Sequence, residues 1–211
     1  MRATALITLF LGIALAAPTT GDTDKPYPPA DQVKIVDVNY GGSGCPKNTV
    51  TDILSDKRDL VTLLFDDYIA ESGPNINPTK NRAACQINIK MHFPQGWQLS
   101  VFQADYRGHV DLPKGVEGYC KATYYFSGDS NSLSRSLKFN GPVVEDYTKT
   151  DVFGLESVVW SACGEEAMLN VKSAIEIRPL GTEKYALMTV DSTDYKVAHL
   201  YHIQWRRCKK N

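Results

Sequence analysis

Cys85-Gln-Ile-Asn-Ile-Lys-Met-His-Phe93 decides the fold. Cys85, Ile87, Ile89, Met91 and Phe93 fall on one side of an extended chain, and Gln86, Asn88, Lys90 and His92 on the other. Successive side chains of a strand point to opposite faces, so this alternation marks a strand with one face in a core and one in water. The rhythm returns at Leu169, Val171, Ser173, Ile175 and Ile177, with Asn170, Lys172 and Glu176 between them. It returns again at Cys120, Ala122, Tyr124 and Phe126.

Working outward, further strands fit at about 33–40, 60–66, 97–106, 156–162 and 196–207. Turn residues separate them: Pro94-Gln95-Gly96, Gly128-Asp129-Ser130, Gly141-Pro142, Cys163-Gly164 and Pro179-Leu180-Gly181. No long stretch carries a helical stripe, and residues 50–60 allow a short turn of helix at best. Many antiparallel strands with one apolar face must pack face to face. The expectation is an all-β, antiparallel two-sheet β-sandwich, with a jelly-roll among its forms. The longest loop candidate runs from Glu71 to Ala84, rich in Gly, Pro and Asn, and long loops on rigid scaffolds are where binding sits.

The N-terminus points to export. Arg2 precedes an apolar run from Ala5 to Ala16, and Ala14-Leu15-Ala16 has the small-x-small form a signal peptidase reads. Residues 1–16 read as a signal peptide, 17–31 as an extended proline-rich tail, and 32–211 as a single β-sandwich domain. No later stretch reads as a membrane anchor. A formal net charge of −1 argues against nucleic acid as partner. Arg206, Arg207, Lys209 and Lys210 form the one basic cluster, read as a solvated chain end. A chain this long can bury a core unaided, so no cofactor is expected.

Five cysteines follow the leader: Cys45, Cys85, Cys120, Cys163 and Cys208. In an exported protein they are expected to pair, but five is odd and spacing leaves the connectivity open. No Cys-x-x-Cys suggests zinc.

Motifs for catalysis fail on inspection. Gly41-Gly42-Ser43-Gly44-Cys45-Pro46 lacks the Gly-Lys-Ser/Thr of a phosphate loop and the last glycine of a nucleophile elbow. Of the histidines, His199 and His202 are three apart on a strand and point to opposite faces. Asp66, Asp67 and Asp105 end predicted strands, where paired carboxylates could bind a cation or cleave a glycosidic bond. Trp160 and Trp205 lie inside strands and read as core. Trp97, beside the turn at 94–96, is the tryptophan expected at the surface for ligand stacking. Asp66, Asp67, Asp105 and Trp97 are thus the candidate ligand or cation residues.

The order of segments resembles a known family. Tyr40-Gly-Gly-Ser-Gly-Cys-Pro46, Leu63-Leu-Phe-Asp-Asp-Tyr68, Cys85-Gln-Ile-Asn-Ile-Lys90, Phe93-Pro-Gln-Gly-Trp97, Ala104-Asp-Tyr-Arg-Gly108, Ala122-Thr-Tyr-Tyr-Phe126, Val159-Trp-Ser-Ala-Cys163 and Gln204-Trp-Arg-Arg-Cys208 are similar to the domain of unknown function 4360 family. Its members are small secreted proteins of filamentous fungi. The resemblance implies export, disulfides and, in plant-associated fungi, use as an effector. Cys45, Cys85, Cys163 and Cys208 lie within these motifs and Cys120 does not. That implies bridges 45–85 and 163–208, with Cys120 as a free thiol. The expectation is a secreted, disulfide-stabilised, non-enzymatic protein acting at a host or cell-wall surface, its partner a host protein or a wall glycan. The alternative is a carbohydrate-binding module or glycan-active hydrolase using the strand-end aspartates.

Overall fold

The computed structural model describes residues 27–154, 159–190 and 199–209, with only the backbone of Glu165. The expected signal peptide and most of the tail lie outside these residues. The described residues form eleven strands: β1 (Lys34–Gly41), β2 (Val50–Leu54), β3 (Leu60–Phe65), β4 (Ile69–Ser72), β5 (Arg82–Leu112), β6 (Glu117–Phe126), β7 (Leu133–Asn140), β8 (Val143–Val152), β9 (Gly164–Arg178), β10 (Ala186–Thr189) and β11 (His199–Arg207). Every strand pairing among them is antiparallel.

β5, at 31 residues, organises the molecule. Its first half, 82–92, lies between β1 and β9, and β9 continues through β6 to β7. Its second half, from Trp97, lies between β11 and β8, and β11 continues through β3 to β2. β10 joins β5 at Val110 and Asp111 and carries β4. One strand therefore passes from one sheet into the other.

The two halves of the ladder face each other. Tyr124 of β6 meets Tyr201 of β11 with ring centres 5.8 Å apart, and Phe139 of β7 meets Tyr147 of β8 at 4.9 Å. Tyr68, between β3 and β4, hydrogen-bonds Ser173 of β9 at 2.9 Å. The alternating residues Cys85, Ile87, Ile89, Met91 and Phe93 are all buried against this interface. The architecture is a β-sandwich, and its driving force is the burial of these inward rows.

Three local expectations change. Pro94-Gln95-Gly96 does not reverse the chain: the β5–β9 register slips between His92 and Trp97, and β5 continues into the second sheet. Turn residues mark a break in regular pairing, and here the break is a bend rather than a hairpin. Val50–Leu54, expected as at best a helical turn, is an edge strand paired with β3. Of the expected strand at 156–162, residues 156–158 lie outside the described residues, and Trp160 makes a single bridge to Ser100.

Two disulfides join Cys45 to Cys85 and Cys163 to Cys208, and Cys120 is a free, buried thiol. The first ties the loop after β1 to the start of β5. The second ties the start of β9 to the end of β11.

Candidate functional site

Where the segment before β9 meets the end of β11, the sandwich opens into a cleft of about 770 Å³. One wall is the β6–β7 turn, including Asp129 and Asn131. The other is built from Gln98, Trp160 and Arg206. The turn is self-ordered: Asp129 accepts at one oxygen from the backbone and side-chain N–H groups of Asn131, both at 2.9 Å. Such Asx turns lock a loop without help from the core.

The opposite wall is held by a chain of hydrogen bonds. The Ser100 hydroxyl donates to the carbonyl of Val159 at 2.6 Å, and Ser161 N–H donates to the carbonyl of Leu99 at 2.9 Å. The Gln98 amide donates to the carbonyl of Ser161 at 2.6 Å, and its oxygen accepts from Arg206 Nε at 3.1 Å. Arg206 then lies over the Trp160 indole, 4.0 Å from the ring centre. Partial burial lowers its pKa from the ordinary value, without threatening its charge. The result is a half-buried indole beside a guanidinium and fixed amides. An apolar ring with a few convergent polar groups is what a small-ligand site needs.

Chemistry by paired carboxylates finds less support. Asp129 is the one carboxylate lining the cleft among the described residues. Asp66 and Asp67 are exposed in the turn after β3. Asp105 lies on the outer face of β5, where it accepts from Thr150 at 2.6 Å, contacts His202 Nε2 at 2.8 Å and accepts from Gln103 at 3.3 Å. Burial pushes its pKa up, but the hydrogen bonds from Thr150, His202 and Gln103 outweigh it and hold the carboxyl below its usual range. Its neighbour Asp151, opposite Ala104, belongs to the inward row and so points to the other side of the sheet. Among the described residues no group of three His, Cys, Asp or Glu side chains could hold a metal ion.

Trp97, expected at the surface, is only 1% exposed. It has the same parity as Phe93 and Met91, so β5 carries it inward past the bend. Trp160 and not Trp97 is the tryptophan at the cleft. The basic chain end is likewise not simply solvated: Arg206 covers Trp160 and Arg207 covers Trp97, each at 4.0 Å. Trp160 sits in the run Val158-Val159-Trp160, which reads as core. Little in the sequence marks where the run reaches the surface: Ser161 after it is itself buried, and Ala162 and Cys163 beyond are exposed.

Residues 31–208 match the family described as Domain of unknown function (DUF4360). The chain belongs to this family. The DUF4360 chain is 42% identical over 191 residues to an uncharacterized secreted protein of Arthroderma benhamiae, covering 90% of this chain and 77% of that relative. This protein, too, is secreted. Among solved structures it is similar to TmCBM61 in complex with beta-1,4-galactotriose, at 10% identity and a TM-score of 0.30, covering 82% of this chain and 90% of that one. A second likeness is to the enzymatically active domain of tailspike protein 4 of bacteriophage CBA120, at 12% identity and a TM-score of 0.18. It covers 87% of this DUF4360 chain and 20% of the tailspike chain. At these TM-scores neither likeness bears on ligand or activity.

Proposed function

We propose that this secreted protein is a non-enzymatic glycan-binding protein that acts at a cell-wall or host surface. The observation that carries the proposal is Trp160, braced by Arg206 in a cleft also lined by the amides Gln98 and Asn131 and the carboxylate Asp129. A pyranose ring has an apolar face of C–H groups and a rim of hydroxyls. An indole takes the face, and planar amides, guanidinium and carboxylate take the rim. Two disulfides and a deep core suit the protein to service outside the cell.

That Asp129 is the lone carboxylate of the cleft among the described residues favours binding over turnover. Glycoside hydrolysis needs an acid and a second carboxylate across the bond, and Asp105 is held ionised on a different face. The test is a glycan array of wall and host-surface oligosaccharides, followed by titration and a reducing-sugar release assay. The expected result is binding without sugar release, lost in Trp160→Ala. Sugar release by the wild type that is lost in Asp105→Asn would establish the hydrolase instead. Binding unaffected by Trp160→Ala would remove the cleft from the account.

A further inference from the structure

A second groove crosses the outer face of the first sheet. We infer that it binds an acidic oligosaccharide, independently of the Trp160 cleft. The groove has about 420 Å³ and is lined by Arg82, Lys121 and Lys172, with Ser43 and Thr123 beside them and no carboxylate among the described residues that line it.

Its shape follows from the cross-strand register. Ala84 of β5 pairs with Ala174 of β9, which pairs with Lys121 of β6. On one side runs the row Gln86, Lys172, Thr123, and on the other Arg82 stands opposite Glu176. Two alanines between rows of long side chains leave a trough perpendicular to the strands. The flanking rows are four residues apart, roughly 13 Å along the strand, and the trough spans about three strand spacings, roughly 14 Å. At its β1 end Gly42 closes against Ala84: a Cβ there would lie 2.1 Å from the Ala84 carbonyl oxygen, so no side chain blocks the entrance. Ser43 is fixed there by accepting from Ala84 N–H at 3.1 Å.

Arg82, Lys121 and Lys172 are all exposed, and no ion pair among the described residues involves them. Lys172 lies 5.3 Å from the Tyr125 ring centre. Glu176, opposite Arg82, is held chiefly by Arg178 Nε and Nη2, at 2.7 and 3.1 Å, with a weaker pull from Arg82. Three cations thus line one groove on a chain whose formal net charge is −1. Such a local field attracts a polyanion and repays it only where charges repeat along an extended ligand. An acidic glycan offers that repeat in the extracellular space, with hydroxyls for Ser43 and Thr123.

The experiment titrates the full mature chain with oligogalacturonate, its neutral methyl ester, inorganic phosphate, a single-stranded DNA oligomer and anionic phospholipid vesicles. Oligogalacturonate should bind about tenfold or more tighter than the ester, and weaken as salt rises. Lys121→Glu/Lys172→Glu should lower that affinity by about tenfold. Ala174→Leu, which keeps every charge but fills the trough, should lower it as well. Trp160→Ala should leave it unchanged, which separates this site from the cleft. Thermal midpoints of the variants check folding, and Lys121→Gln serves if the double variant misfolds. Equal binding of the ester, wild-type affinity in the charge variants, or preference for DNA, phosphate or vesicles would overturn the assignment.

Discussion

Arg206 lies over the indole of Trp160 with its guanidinium carbon 4.0 Å from the ring centre, while its Nε donates to Gln98. Three residues from three separate stretches thus act as one wall of the cleft. Arg206→Ala should weaken glycan binding and lower stability by roughly 1 kcal/mol, the range for a partly desolvated cation–π contact. Arg206→Lys keeps the charge but not the planar fork, so it should restore only part of the affinity. Titration calorimetry and urea unfolding measure both. Full rescue by lysine would show that charge alone matters.

Gly44 supports the tyrosine that links the two sheets. A Cβ at 44 would lie 2.3 Å from the Tyr68 ring, whereas one at Gly41 meets nothing within 4 Å. Gly44→Ala must therefore displace Tyr68 and disturb its hydrogen bond to Ser173. The expected loss is about 1–3 kcal/mol, against less than about 0.5 for Gly41→Ala. Urea midpoints of the two variants check this contrast, and equal midpoints would refute the close contact.

The alternating runs at 85–93, 120–126 and 169–177 are legible because period two and burial coincide: all their inward residues but Ser173 are apolar, and that serine meets Tyr68. The bend at Gly96 is not legible in the same way. Proline and glycine mark where pairing breaks, but only the partners β9 and β11 decide whether the chain turns back or changes sheets. That ambiguity carries over to Trp97, whose placement depends on the path of β5. The cleft itself was hidden because Gln98, Trp160 and Arg206 become neighbours only through the β5–β11 register and the bridge at Ser100.

The free thiol offers a simple chemical test. Burial pushes the Cys120 pKa up to about 12, with the Asp151 carboxylate adding to the rise. Since the thiolate is the reactive form, native protein should label slowly with a maleimide. Unfolded without reductant, it should take up one label, on Cys120. Cys120→Ser should cost about 1 kcal/mol, through a hydroxyl in an apolar setting. Cys85→Ser should cost roughly 2–5 kcal/mol, because it opens a loop and strands the buried Cys45. Label on another cysteine would reject the pairing, and fast native labelling would reject the burial.

His199 sets the acid limit of the core. It is fully buried among Phe65, Tyr68, Tyr106 and Tyr201, with ring centres 5.0 to 6.4 Å away. Nδ1 bonds the Tyr201 hydroxyl at 2.9 Å, and Nε2 has no partner among the described residues. Burial lowers its pKa from 6.5 to about 3. In the folded protein it stays neutral above about pH 3, whereas in the unfolded chain it takes up a proton below 6.5. Protons then favour the unfolded chain across that window. Stability from this group is complete above pH 6.5 and falls by up to about 1.4 kcal/mol per pH unit as pH drops toward 3. His199→Phe removes the titration and keeps the ring packing, at the expense of the Tyr201 hydrogen bond. Urea unfolding at pH 7 and pH 4.5 should show the variant losing about 2–3 kcal/mol less than wild type between the two. The comparison of slopes cancels acidic groups common to both proteins, so equal losses would mean that His199 is not the neutral buried base described above.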